Sequence, residues 1–171
     1  MAKTKIGAIP KIVDNFKPKT SNQNIFYNIM GDEDTQLVLC HGIAGTGKTY
    51  VSIYKALQDV LRRGTPYNKL IIINPTVDVG NEDKLGFLPG ELSSKIQQYN
   101  ESTFTILDKI IGKDKATKMM SDGKLEIGVL NFLRGVNLEN CYVILDEAQN
   151  VSPMQIKTLM TRISSNCKMI I

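Results

Sequence analysis

The stretch that decides the fold is HGIAGTGKTY, residues 41–50. It contains three glycines, one lysine and two threonines, and it lies between an apolar run at residues 37–40 and a segment with helical spacing. An apolar run of this length is typical of a strand that is buried on both faces. The order strand, glycine-rich loop, helix therefore predicts an α/β protein in which the loop approaches a ligand closely.

Residues 42–49 match the pattern G-x-x-x-x-G-K-[ST] at each fixed position. Phosphate oxygens require a row of backbone N–H groups around them, and glycine lets the backbone come close and adopt positive φ. We expect Lys48 to reach the β- and γ-phosphates and Thr49 to bind Mg²⁺. A chance glycine-rich turn is the alternative, but the strand before the loop and the helix after it favour a nucleotide site. The predicted nucleotide contacts are Gly42, Ile43, Ala44, Gly45, Thr46, Gly47, Lys48, Thr49 and Tyr50.

A second apolar segment, residues 142–145, ends in the acids Asp146 and Glu147. We expect this segment to be a strand that ends beside the phosphate loop. Asp146 would then hold Mg²⁺ through water, and Glu147 would orient or deprotonate the attacking water. The alternative is that the two acids only begin a loop. A residue that activates water favours hydrolysis over transfer to a small molecule, which makes Lys48 and Glu147 the candidate catalytic residues.

The remaining patterns predict helices and strands in alternation, which indicates a parallel sheet with helices on both faces. Gly64 should end the helix after the loop, and Ser152-Pro153-Met154-Gln155 should open another with a capping box. Residues 76–90 are predicted to be a long loop. The predicted strands are 70–73, 125–129 and 142–145, with another from Lys168, and the further predicted helices are 91–111 and 113–121.

Length and composition fit one domain with a basic N-terminal tail. The chain has 171 residues and a net charge of +4, and residues 1–20 contain five lysines against one aspartate. We therefore expect a tail at 1–20, either solvated or bound to nucleic acid phosphates, and a domain at 21–171. No apolar run approaches the roughly 20 residues of a membrane span. The lysine-rich start lacks the apolar segment of a signal peptide, so we expect a cytoplasmic protein.

The cysteines Cys40, Cys141 and Cys167 form no CxxC pair, and the chain has one histidine, His41. This pattern favours buried free thiols in strands over a zinc site.

The loop GIAGTGKT and the segment DEAQ after an apolar strand resemble the motifs of helicase-type ATPases. Three further segments resemble the PhoH family: LGFLPG at 85–90, FLRG at 132–135, and LDEAQN at 145–150 with Thr161-Arg162 downstream. That family comprises bacterial and phage ATPases similar to the first RecA-like domain of superfamily 1 helicases. The resemblance covers about residues 20–171. It implies a P-loop NTPase with a RecA-like three-layer sandwich and a mostly parallel central sheet.

The resemblance further implies ATP, Mg²⁺, hydrolysis, and RNA or single-stranded nucleic acid as a partner. It also implies a homo-oligomer, since related proteins form hexameric rings. It suggests Gln23 as the residue that recognises adenine, because an amide offers both a donor and an acceptor. An ordinary surface amide is the alternative. The chain has room for one RecA-like domain, so a neighbouring subunit would complete the site, and Arg134 and Arg162 are the candidates for that arginine or for surface ion pairs.

The sequence departs from the family pattern in two places. Asn74 stands where the family has arginine, and the loop at 79–84 is about two residues longer. Asn74-Pro75-Thr76 nevertheless remains a candidate contact for nucleic acid phosphates. The family pattern continues past the strand at Lys168 into a γ-phosphate-sensing segment, so we expect either a fragment or a natural form without that sensor.

Three functions are compatible with the residues. The first is an ATPase that acts on nucleic acid. The second is a nucleotide-binding regulatory or assembly module with little hydrolysis of its own. The third is a small-molecule kinase or a GTPase, which is disfavoured because Asn68-Lys69-Leu70-Ile71 lacks the aspartate of a guanine-recognition motif.

Overall fold

The structure is a computed structural model that describes residues 12–75, 100–128, 137–164 and 166–171. No helix among these residues is long and apolar enough to cross a membrane. The helices are α1 (Ser21–Gly31), α2 (Lys48–Leu61), α3 (Glu101–Ile111), α4 (Lys113–Ser121) and α5 (Pro153–Met160), with a short 3₁₀ helix at Ala148–Asn150. The strands are β1 (Leu37–Val38), β2 (Lys69–Ile73), β3 (Leu125–Gly128), β4 (Cys141–Leu145) and β5 (Lys168–Ile170).

The five strands form one parallel sheet in the order β1-β5-β4-β2-β3. Successive side chains of a strand point to opposite faces of the sheet, and each face is covered by different helices. Leu70 and Ile72 of β2 pack on the side of α2, α3 and α4. Ile71 and Ile73 pack on the side of α5. The predicted three-layer α/β architecture is therefore confirmed.

The predicted elements lie close to their expected positions. Helix α2 ends at Leu61, three residues before Gly64, whose φ is +80°. The capping box of α5 is present, since Ser152 Oγ accepts from the Gln155 N–H at 3.3 Å and Gln155 Oε1 accepts from the Ser152 N–H at 3.0 Å. The predicted loop at 76–90 and the first part of the helix predicted at 91–111 lie outside the described residues.

In the strand order of the sheet, β4 is not the direct neighbour of β1, the strand before the phosphate loop. Strand β5 lies between them, with Met169 opposite Leu37 on one side and Val143 on the other. The chain crosses from β4 through α5 to β5, and a short crossover of this kind places the next parallel strand next to the previous one. The phosphate loop and the acids of β4 are thus one strand apart.

The first strand is shorter than predicted. We expected a buried strand at 37–40, but β1 comprises Leu37–Val38 and the side chain of Leu39 is 71 % exposed. Strand β1 lies at the edge of the described sheet and has a neighbour on one side only. The chain still follows β5 here, because the Cys40 N–H donates to Ile171 O at 2.7 Å.

The cysteines match the prediction of free thiols, with one difference in burial. Cys141 and Cys167 are buried, and their sulfur atoms lie 3.4 Å apart. Burial raises the pKa of the Cys141 thiol, which keeps it protonated. Cys40 is only half-buried, because it follows the short edge strand.

Residues 12–20, which we expected in a basic tail, pack against the domain. The Val13 N–H donates to Ile110 O at 2.8 Å, and the ring of Phe16 lies 5.2 Å from the ring of Tyr54. Apolar contact with α2 and α3 thus outweighs the polar character of the segment. Residues 1–11 lie outside the described residues, so the expectation of a basic tail stays a prediction there.

A buried polar network fastens the end of α1 to the sheet. Met30 O accepts hydrogen bonds from Lys168 Nζ and from the Tyr142 hydroxyl, each at 2.8 Å. The same hydroxyl lies 3.2 Å from Asp59 Oδ2, and Asp59 forms a 2.8 Å ion pair with Lys55. Burial lowers the pKa of Lys168 and raises that of Tyr142. The network connects α1 to α2, β4 and β5.

Replacing Tyr142 with Phe should lower the free energy of unfolding by about 1–3 kcal/mol, because buried hydrogen-bonding groups lose their partner. Tyr67→Phe is the matched control. The Tyr67 ring packs edge-on against Tyr142 at 4.9 Å between ring centroids, and we expect this variant to change stability by less than about 0.5 kcal/mol. Chemical denaturation of the two variants measures both values. Equal losses of stability in the two variants would show that the Tyr142 hydroxyl contributes no more than the Tyr67 hydroxyl does.

Candidate nucleotide-binding site

The glycine loop follows β1 and leads directly into α2, which begins at Lys48. Gly45 and Gly47 have φ values of +78° and +83°, a region that L-residues with side chains adopt only with strain. Gly47 is also the residue before the helix, so its conformation turns the chain into the first helical turn. The free N–H groups of that turn face the loop and favour an anion.

Lys48 lies folded over the loop. Its Nζ donates to Gly42 O at 2.8 Å and to Ile43 O at 3.0 Å. Thr46 Oγ1 donates to the same Ile43 carbonyl at 2.9 Å, which closes the turn. A phosphate oxygen carries more negative charge than a carbonyl and can replace these acceptors. The lysine is therefore already at the place where the predicted phosphates would bind.

Thr49 and Asp146 meet across the sheet edge, as the sequence predicts. Thr49 Oγ1 donates to Asp146 Oδ1 at 2.9 Å. Burial raises the pKa of Asp146, and the nearby Glu147 charge acts in the same direction, whereas the Thr49 hydrogen bond lowers it. A partly desolvated carboxylate of this kind gains most from a nearby cation.

These oxygens fit Mg²⁺. The ion prefers oxygen ligands in octahedral geometry and keeps several waters, usually with one or two protein ligands and substrate phosphates. Among the described residues there is no group of three or more His, Cys, Asp or Glu side chains that could hold a metal ion. Thr49 and Asp146 would thus bind Mg²⁺ together with phosphate oxygens and water, rather than as a protein cage.

Glu147 follows Asp146 in an unusual conformation. Its φ is +52°, and it precedes the 3₁₀ helix at Ala148–Asn150. Its side chain is exposed, and the Gln149 amide donates to its carboxylate. The backbone turn therefore keeps the second acid at the carboxyl edge of the sheet, next to Asp146.

One cavity of about 610 Å³ joins the two halves of the site. This volume lies in the range of small-molecule sites. Its lining includes the predicted residues Gly42, Ala44, Gly45, Gly47, Lys48, Thr49, Tyr50, Asp146 and Glu147. It also includes residues that the sequence did not point to, among them His41 beside the loop and Ile106 of α3. Ile106 has no sequence signal, because its place depends on how α3 packs.

Gln23 contacts the loop with its side chain. Its Nε2 donates to Thr46 O at 3.0 Å, and its Oε1 accepts from the Lys19 N–H at 2.8 Å. The amide keeps a second hydrogen and a second lone pair that these contacts do not use. Recognition of adenine by Gln23 stays a prediction. The hydrogen bond between Gln23 and the loop was not part of that prediction.

Tyr50 directs its side chain away from the loop. Its ring lies 5.6 Å from that of Phe16, and its hydroxyl donates to the Asp14 carboxylate. Burial, followed by Asp14, raises the pKa of Tyr50. A nucleotide contact by Tyr50 would therefore use its backbone N–H, near the start of α2, rather than its hydroxyl.

Arg162 lies at the opposite edge of the sheet. Its carbonyl accepts from the Leu138 N–H at 3.0 Å, and Leu138 precedes β4, whose other end leads to Asp146. The five residues of β4 alone span about 17 Å, which no arginine side chain bridges. A role of Arg162 in a neighbouring subunit's site stays a prediction. Arg134 and LGFLPG lie outside the described residues.

The glycine loop between a strand and a helix, together with an acid at the end of another parallel strand, defines a P-loop NTPase of RecA-like type. The comparison with known families agrees, because the family model described as "PhoH-like protein" matches residues 15–171. The chain therefore belongs to the PhoH-like protein family, as the sequence resemblance indicated.

Three relatives illustrate the match. A "PhoH-like protein" of Bacillus subtilis (strain 168) is 40% identical over 157 residues, which is 92% of this chain and 47% of that protein. A "PhoH-like protein" of Synechocystis sp. is 36% identical over 171 residues, 100% of this chain and 48% of the relative. "Protein PhoH" of Escherichia coli (strain K12) is 32% identical over 152 residues, 88% of this chain and 42% of the relative. The chain spans about half the length of these relatives.

Replacing Lys48 with Ala should weaken the affinity for a non-hydrolysable ATP analogue by at least about tenfold, or about 1.4 kcal/mol. The reason is that Lys48 is the cation folded over the loop. The measurement is calorimetric titration in Mg²⁺. Lys157→Ala, which removes an exposed lysine of α5, is the charge-matched control and should bind as the parent does. Unchanged affinity in Lys48→Ala would contradict the assignment of the loop.

Proposed function

We propose that the chain binds Mg–ATP in the cavity between residues 42–49 and the carboxyl end of β4, and hydrolyses it. The observation that carries the proposal is the 2.9 Å hydrogen bond between Thr49 Oγ1 and Asp146 Oδ1. It joins a hydroxyl at the start of α2 to a half-buried carboxylate, which is the kind of oxygen pair that binds Mg²⁺ together with phosphate oxygens.

Each residue has a separate task in this proposal. The loop N–H groups and Lys48 bind the phosphates, and Thr49 and Asp146 orient the ion and its waters. The ion, when bound, neutralises charge that develops on the phosphate oxygens. Glu147 accepts a proton from the attacking water or orients it, since it is the exposed acid at the same edge. Gln149 holds the Glu147 carboxylate through its amide.

The second candidate is a nucleotide-binding regulatory or assembly module with little hydrolysis. The observation that favours it is the position of Glu147, whose carboxylate is exposed and accepts from Gln149. If this contact persisted with nucleotide bound, no base would be directed at water. The two functions differ in turnover and not in binding.

Replacing Glu147 with Gln should leave the affinity for Mg–ATP intact and lower turnover about a hundredfold or more, because the amide cannot accept the proton. Glu139→Gln is the matched control, since Glu139 is an exposed acid just before the other end of β4. Steady-state phosphate release and calorimetry measure the two effects. Normal turnover in Glu147→Gln would favour the binding-module function.

The proposal extends to a partner and to assembly. RNA or single-stranded nucleic acid would be the partner, and a homo-oligomeric ring would be the working form, with Arg134 or Arg162 of a neighbour directed at the phosphates. The partner and the ring rest on the family resemblance, whereas the proposed cytoplasmic location rests on the sequence of the lysine-rich N-terminal segment. Because this chain covers about half of the length of its relatives, the proposed partner and assembly concern the longer proteins as well as this one.

Turnover per chain should increase with protein concentration as subunits associate. An arginine supplied in trans contributes about 10³–10⁵ in rate to related phosphoryl transfers, so the isolated monomer should be a weak ATPase. The measurement is phosphate release over a concentration series, with light scattering to report assembly and single-stranded RNA added in a parallel series. Rapid turnover by a verified monomer would contradict the role of a neighbouring subunit.

A further inference from the structure

Asn74, the residue after β2, is half-buried, and one atom of its side-chain amide has no partner among the described residues. Its Nδ2 donates to Thr103 Oγ1 at 3.0 Å and to Asn100 Oδ1. Its Oδ1 is buried, yet no donor among the described residues reaches it. Buried polar atoms are almost always hydrogen-bonded, so an acceptor that no described residue satisfies points to a further donor at this position.

The strand register places Asn74 beside Asp146. Ile73 of β2 lies opposite Leu145 of β4, and the Asp146 N–H donates to Ile73 O at 3.0 Å. Asn74 and Asp146, which follow these two strand residues, are therefore neighbours. Both side chains lie on the sheet face that α2 and α3 cover, because Asp146 bonds to Thr49 of α2 and Asn74 to Thr103 of α3.

Asn74 and Asp146, at neighbouring positions on one sheet face, each present a side-chain oxygen that is an acceptor. Two such groups repel each other in a poorly solvated place unless a donor lies between them. A water molecule bound to Mg²⁺ is such a donor, since its lone pair faces the cation and both its hydrogens are free to donate. The amide cannot turn freely to avoid Asp146, because Thr103 and Asn100 hold its nitrogen.

We propose that Asn74 is a positioning residue of the Mg²⁺ site, whose Oδ1 accepts a hydrogen bond from a Mg²⁺-bound water that also donates to Asp146. The proposal rests on the proposed function, since it requires Mg²⁺ beside a bound nucleotide. It gives Asn74 a role in the metal dependence of nucleotide binding. It also connects the metal site to the start of α3, through Thr103 and Asn100.

The test compares the affinity for a fluorescent ADP analogue in excess Mg²⁺ with the affinity in EDTA, on the 171-residue chain. The ratio of the two affinities isolates the contribution of the metal. Asn74→Leu keeps the approximate shape and removes the acceptor, so the ratio should fall by about tenfold, the usual effect of a lost outer-shell partner. The affinity in EDTA should stay within about twofold of the parent, because the phosphate contacts of the loop are unchanged.

Two further variants separate a metal role from a purely structural one. Asn74→Asp keeps an acceptor oxygen, so its ratio should equal or exceed that of the parent. Thr103→Val removes the acceptor of the Asn74 N–H but leaves Oδ1, so it should lower the free energy of unfolding and change the ratio by less than about threefold. Thermal unfolding in EDTA gives the stability of each variant.

The outcomes are distinct. An unchanged ratio in Asn74→Leu, or an equal loss of affinity in Mg²⁺ and EDTA, would overturn the inference and leave the proposed function intact. If Asn74→Leu does not fold, Asn74→Asp decides, and a ratio below that of the parent would overturn it. If the parent itself showed no Mg²⁺-dependent binding, the proposed function would fail, and this inference with it.

Discussion

The contact on which the site depends is the hydrogen bond between Thr49 and Asp146, which joins residues 97 positions apart in the chain at 2.9 Å. Thr49 is placed by α2, which begins at the loop, and Asp146 is placed by β4. Neither residue defines a metal site alone. They meet where β5 lies between β1 and β4, so that the loop after β1 and the acids after β4 are one strand apart at the carboxyl edge of the sheet.

Helix α1 contacts the loop at its beginning and the sheet at its end. Near its beginning, Gln23 donates to Thr46 O of the loop. At its end, Met30 O accepts from Lys168 of β5 and Tyr142 of β4. Helix α1 thus connects the loop to β4 and β5, through an exposed hydrogen bond of Gln23 and a buried polar network at Met30.

Motifs with a strict local geometry could be predicted from the sequence, as the glycine loop, the acid pair and the capping box at Ser152 show. Features that depend on packing could not. The insertion of β5 beside β4 has no sequence signal, and Leu39 is exposed because β1 is an edge strand, although its apolar run suggested burial. The inward turn of Tyr50 depends on Phe16, whose segment was expected to be a tail.

The measurement that tests the central claim most directly is a double-mutant cycle on Thr49 and Asp146. Calorimetry with a non-hydrolysable ATP analogue, in Mg²⁺ and in EDTA, would compare the parent, Thr49→Val, Asp146→Asn and the double variant. If the two residues hold one Mg²⁺–phosphate complex, each single change removes most of the Mg²⁺-dependent affinity, and the double change costs little more than either alone. Independent, additive losses, or parent affinities that are equal in Mg²⁺ and EDTA, would contradict the account.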